Sequence, residues 1–171
     1  MNSFSRSVKD ALCEQIPKNA CCRRALLYGL LMFRQPQLEY PAESELLNKL
    51  RGELRRAQED SPVLQEDIFA CEHCRRHFLQ GVFISCGSVT DPASAYHLEI
   101  VIPDSGSVQD MIKTMQELSF SPKLTKRRGV DVLYFKENET ISDFLAMIGA
   151  QNAAFDVING KIRRDIRNNA N

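Results

Sequence analysis

The sequence predicts an α+β domain in which helices pack on an antiparallel sheet, and three observations carry the prediction. The stretch FLQGVFISCGSVTDP, residues 78–92, reads as an apolar helix with a single glycine, Gly81, broken at Gly87-Ser88 and followed by an Asp91-Pro92 turn. RALLYGLLMFR, residues 24–34, has the same form around Gly29. Residues 95–102 alternate apolar and polar, and residues 123–136 read as two extended runs around Arg127-Arg128-Gly129, so a strand and a hairpin supply the sheet.

A glycine inside a helix costs about 1 kcal/mol against alanine, so it usually has a packing reason. Without a Cβ, another backbone can come close. Aligning Gly29 on Gly81 puts Leu27 on Leu79, Leu30 on Val82 and Leu31 on Phe83. Two glycine-notched apolar helices suggest an internal duplication whose halves pack helix on helix, with the two glycines facing each other.

The remaining elements follow in order. Ser5 can cap a first helix running to about Gln15, burying Val8, Leu12 and Ile16, before Pro17 ends it. Residues 43–58 form a charged amphipathic helix with Leu46, Leu47, Leu50 and Leu54 in one stripe, its charges a solvated face. A connector spans residues 60–70, and the second notched helix runs over 71–86. In the strand, Tyr96, Leu98, Ile100 and Ile102 point one way and His97, Glu99 and Val101 the other. Ser107 caps a helix to Leu118. Thr140, with Asp143 as capping-box partner, starts another helix that buries Ile141, Phe144, Leu145 and Ile148 and stops at Gly149. Residues 151–171 are mostly polar and basic and read as a short helix with a frayed end.

Lys+Arg and Asp+Glu both total 22, so global charge implies no partner and any nucleic-acid surface must come from local clustering. Two clusters qualify. Within 121–136, Lys123, Lys126, Arg127, Arg128 and Lys136 stand against Asp131 alone, and a second group, Lys161, Arg163, Arg164 and Arg167, stands against Asp165. Cations on a groove-fitting surface contact phosphates and bind in a salt-dependent way. The plainer reading of a lysine-rich hairpin is a solubilised edge. No apolar run approaches the roughly 20 residues of a membrane span. The N-terminus lacks a signal-peptide core, so the expected location is the cytoplasm, with six reduced cysteines.

The segments CCRRALLYGLL, FLQGVFISCGSVTDP, SAYHLEIVIP, ISDFLAMIGA and IRRDIRNNAN, taken in order, resemble WhiA-type bacterial sporulation and cell-division regulators. The 78–92 stretch is similar to the motif helix of LAGLIDADG homing endonucleases. The resemblance implies a LAGLIDADG homing-endonuclease-like fold, helices covering the back of a curved antiparallel sheet that sits on DNA. Only 52 residues separate Gly29 from Gly81, with one helix and no clear strand set between them. The expected organisation is therefore residues 1–70 as an N-terminal helical region with a reduced first repeat, and residues 71–171 as an intact second repeat with a basic tail.

Homing nucleases hold divalent metal with an acidic residue near the end of each motif helix, since hard Mg²⁺ needs carboxylate oxygens. Here those positions are Arg34 and Cys86, so no nuclease activity is expected. No cofactor is expected either. The expected metal content is none, with Cys71 and Cys74 as the candidate ligands. Cys21-Cys22 precede the first motif as Cys71-Glu72-His73-Cys74 precede the second, but an adjacent Cys-Cys pair is a poor substitute for a second knuckle, and all four read equally as small apolar residues. The function the resemblance implies is a non-catalytic DNA-binding, transcription-regulatory domain at the nucleoid. Its expected partners are duplex DNA and a second copy or another regulatory protein. The rival is a protein–protein scaffold that has lost DNA binding.

Overall fold

The protein, seen in a computed structural model, is described over residues 3–38, 40–50, 52 and 68–171. Its organising contact is between α2 (Ala20–Met32) and α4 (Cys74–Cys86), the two notched helices. They lie side by side in the same direction, and the notches meet as predicted. A Cβ on Gly29 would overlap the Phe78 carbonyl oxygen and lie 2.9 Å from the Val82 nitrogen. One on Gly81 would overlap the Leu26 carbonyl oxygen and lie 2.7 Å from the Leu30 nitrogen. Backbone meets backbone here, and only glycine permits it.

Around this pair sit α1 (Phe4–Cys13) and α3 (Pro41–Lys49). The α1 cap is Ser3, whose Oγ accepts from the Arg6 nitrogen at 3.1 Å; Ser5, the expected cap, lies inside the helix and accepts from the Val89 nitrogen at 3.2 Å instead. Val8 and Leu12 are buried, but Ile16, beyond the helix end, is exposed. Pro41 sits at the first position of α3, where its missing N–H costs nothing. Leu46, Leu47 and Leu50 are buried as the stripe requires, while Leu54 and, apart from Gly52, the rest of the expected helix lie outside the described residues. Gln80 is buried on α4 and its amide donates to the Leu12 and Gln15 carbonyls at 3.0 and 2.9 Å, tying the motif helix to the end of α1.

The sheet has four antiparallel strands in the order β1-β2-β4-β3: β1 (Gly87–Val89), β2 (Leu98–Ile102), β3 (Lys123–Arg127) and β4 (Val130–Phe135). Strand β1 has no counterpart among the sequence-based expectations. Three residues with a leading glycine carry almost no strand signal, and pairing with β2 decides the conformation. Between β2 and β3 runs α5 (Val108–Glu117), whose Val108, Met111 and Met115 are buried. Ser107 precedes it without a side-chain cap, donating instead to Asp104 at 2.7 Å. The β3–β4 turn has both Arg128 (φ 51°) and Gly129 (φ 80°) left-handed, the pattern of a type I′ hairpin.

After β4, α6 (Asn138–Ile148) begins two residues before the expected cap, with Glu137 extended at the boundary and Thr140 already helical. Gly149, at φ 106°, ends it as predicted. Phe144 is fully buried and touches Phe83, Phe120 and Phe135, joining α6 to the motif helix and the sheet.

The tail differs most from expectation: α7 (Gln151–Ala170) is one continuous helix. Two tertiary contacts extend it. Gly160 packs beside Pro92, and Arg164 donates to the Pro92 carbonyl at 2.7 Å. Phe155, Ile158, Ile162 and Ile166 stay exposed along it. Among the described residues before α4 there is no strand, and all four described strands lie between Gly87 and Phe135. One buried core runs from Val8 to Val157. No described helix is long and apolar enough to cross a membrane.

Candidate nucleic-acid interface

Strand alternation divides the sheet into two faces. Leu98, Ile100 and Ile102 of β2 and Leu133 and Phe135 of β4 face the helices and are buried. The register places Ser88, Glu99, Tyr134 and Lys123 in one row across the opposite, open face. Val101, Val132 and Thr125 form the next row, and Arg127 stands opposite Val130.

Apart from Val101 and the buried Val132, this face is polar, and its charges are interlocked. Arg127 reaches diagonally over β4 and makes a two-pronged bond to Glu99, at 3.0 and 2.8 Å. His97 Nε2 lies 2.8 Å from the same carboxylate, and its ring stacks on Tyr134 with centroids 5.8 Å apart. Lys136 Nζ sits over the other part of that aromatic platform, 5.5 Å from the Tyr134 centroid. The Arg127 hydrogen bonds hold the Glu99 carboxyl below the usual glutamate range, with His97 adding to the effect against partial burial. A depressed folded-state pKa contributes stability above the ordinary glutamate value, and that contribution is lost as pH falls through the folded value. The pair is thus fully formed at neutral pH.

The structure separates the sequence-predicted cations. Lys123, Arg127 and Lys136 share the open face. Lys126, one residue from Arg127, points to the other face and lies 3.7 Å from Asp131. Arg128 caps the hairpin tip. Lys123 is 3.5 Å from Glu137. The hairpin's five cations are therefore accompanied by three carboxylates, not one. The second cluster lies elsewhere: Lys161 pairs with Glu139 at 3.3 Å, and Arg163 and Arg164 line a cleft with Asp91 and Pro92. Arg164 also stacks over Tyr96 at 4.4 Å, on the helix side of the sheet.

Beside the open face lies a cleft at the C-terminal ends of the motif helices, lined by Arg6, Lys9, Gln35, Tyr40, Cys86 and Ser88. One of the two nuclease positions, Cys86, lines it. Cys86 donates to the Val82 carbonyl at 3.2 Å, and burial pushes its thiol up to about 12, so it stays protonated and neutral. Arg6 stacks on the Tyr40 ring at 4.0 Å. Burial lowers the pKa of Lys9. Arg6 and Lys9 are not among the sequence-predicted cations, because nothing local marks two cations on the first helix as neighbours of residue 86.

At the opposite end of the motif helices the four cysteines of the two pairs come together. Cys71 Sγ lies 3.7 Å from Cys21, 3.5 Å from Cys22 and 3.4 Å from Cys74. The His73 backbone N–H, followed by the neighbouring thiols, holds Cys71 down at about 7. Burial raises Cys22 and Cys74.

A family model described as the WhiA LAGLIDADG-like domain matches residues 75–167, more than half of the chain. The chain belongs to this family. A probable cell division protein WhiA of Syntrophomonas wolfei is 37% identical over 131 residues, covering 75% of this chain and 42% of that protein. The WhiA of Ruminiclostridium cellulolyticum is 41% identical over 98 residues, 57% of this chain and 31% of that protein. The chain thus spans less than half the length of these WhiA relatives. Among solved structures, full-length DUF199/WhiA from Thermatoga maritima superposes with a TM-score of 0.77 at 21% identity, over 95% of this chain and 67% of that one. The N-terminal LAGLIDADG domain of DUF199/WhiA gives 0.66 at 23% identity, over 87% and 94%. At that identity the WhiA structures establish the fold, an α+β LAGLIDADG domain.

Proposed function

We propose that this chain is a non-catalytic DNA-binding part of a cell-division and transcription regulator, and that it lays the open face of its sheet against duplex DNA. The observation that carries this reading is the placement of Lys123, Arg127 and Lys136 on the sheet face opposite the helices, continuous through Ser88 with the cleft that holds Arg6 and Lys9. Cations spread over such a surface neutralise phosphates with little reading of base sequence. Arg34 and the neutral Cys86 thiol, where a nuclease needs metal-binding carboxylates, support a role without strand cleavage. A cytoplasmic, nucleoid-associated location follows from DNA as the partner.

The rival, a protein-docking scaffold, draws on one specific observation: several hairpin cations are already satisfied within the chain, as in the Lys123–Glu137, Lys126–Asp131 and Arg127–Glu99 pairs. Glu99→Gln separates the two. It removes the carboxylate that competes with phosphate for Arg127, so duplex affinity should rise, by less than the roughly eightfold that a whole new phosphate contact would add near 0.1 M salt, with a steeper slope of log affinity against log salt. Fluorescence anisotropy on a labelled duplex reads both. Unchanged or weaker binding by a folded Glu99→Gln protein would take the DNA contact off this face.

A further inference from the structure

We propose that the thiols of Cys21, Cys22, Cys71 and Cys74 hold one tetrahedral zinc ion at the shared N-terminal end of the two motif helices. All four Sγ atoms lie within 4.8 Å of one another. A zinc ion about 2.3 Å from each of four sulfurs requires sulfur–sulfur edges of about 3.8 Å. The edges at Cys71 are 3.4, 3.5 and 3.7 Å. They are too long for a disulfide, which needs about 2.05 Å.

The fold answers the objection that adjacent cysteines make a poor knuckle. Cys21 and Cys22 occupy the first turn of α2, and Cys71 and Cys74 straddle the start of α4. Because the two helices run side by side in the same direction, both sulfurs of the adjacent pair reach Cys71. The helix ends also favour the charge. Four thiolates around Zn²⁺ carry a net −2, and they sit at the positive ends of two helix dipoles. Arg23, Arg24, Arg75 and Arg76 follow the ligands directly in sequence. The His73 N–H bonded to the Cys71 sulfur is the kind of outer hydrogen bond that orients a metal ligand. Cys22 and Cys74 are buried, while Cys21 and Cys71 are half-buried and leave an entry path. As small apolar residues the cysteines would gain nothing from converging on one point; as ligands they pin the two helices at the end opposite the Arg6–Lys9 cleft.

The test is metal content of the full chain, reduced, loaded with zinc and desalted. One zinc per chain is expected. Cobalt loading should give the intense visible absorption of a tetrahedral thiolate site. Cys21→Ser with Cys22→Ser, and Cys71→Ser with Cys74→Ser, should each reduce bound metal to background, while Cys13→Ser keeps it. Should the double variants fail to fold, alkylation of the unmodified chain decides: zinc should protect four of the six thiols, and a chelator should expose them. A folded, reduced chain that retains no zinc from excess, zinc-independent alkylation, or a Cys71–Cys74 disulfide in the intact mass would each overturn the proposal.

Discussion

Gly29→Ala is expected to destabilise the domain by about 3 kcal/mol or more, and Gly81→Ala by a similar amount. Overpacking a core usually costs about 1–3 kcal/mol because side chains can shift to make room. Here the obstructing atoms are backbone: the Phe78 carbonyl and Val82 nitrogen for Gly29, the Leu26 carbonyl and Leu30 nitrogen for Gly81. Relief requires separating α2 from α4, which loosens Leu26, Leu27, Leu30, Phe78, Leu79 and Val82 together, all fully buried. Denaturant midpoints at constant slope measure the loss. Gly52→Ala is the control, since a Cβ there meets nothing within 4 Å. Equal midpoints for Gly29→Ala and Gly52→Ala would mean that the helices do not cross at the notches.

Replacing Arg127 and Lys136 together by alanine is expected to weaken duplex binding about sixtyfold near 0.1 M salt. Each phosphate contact contributes a slope of about 0.9 in log affinity against log salt, or about eightfold at that concentration. The slope itself should flatten by nearly two. The loss should be similar on unrelated duplexes, because phosphate contacts carry no sequence information. Lys136→Ala should change folding little, as surface substitutions usually stay within about 0.5 kcal/mol, whereas Arg127→Ala should lower stability modestly by leaving the mostly buried Glu99 carboxylate without its two-pronged partner. Lys126→Ala, on the other face beside Asp131, should have a smaller effect than either. A Lys126→Ala loss as large as that of Arg127→Ala would contradict the division of the hairpin into two faces.

The features legible in the sequence are local ones. The glycine notches, the period-two alternation of β2, the left-handed Gly129 and the αL stop at Gly149 each declare themselves within a few residues. The same period-two rule sends Lys126 and Arg127 to opposite faces, so the partition of the basic hairpin is also a local property of the chain. Other features depend on partners far along the chain. Glu99 meets Arg127 across 28 residues and lowers the effective charge of the hairpin. Strand β1 forms because β2 offers an edge, and α7 stays helical because Gly160 and Arg164 find Pro92. Both cysteine pairs are visible in the sequence, but only the parallel packing of α2 and α4 brings the four sulfurs to one point.

The central claim is that the open sheet face binds duplex DNA through its phosphates. Equilibrium binding of the full chain to two unrelated duplexes at two salt concentrations tests it most directly. The expected result is comparable binding to both at low salt, weakening steeply and equally as salt rises, with no cleavage in Mg²⁺. Absence of binding at low salt by a well-folded chain, or affinity indifferent to salt, would contradict the claim and leave the sheet as a protein-docking face.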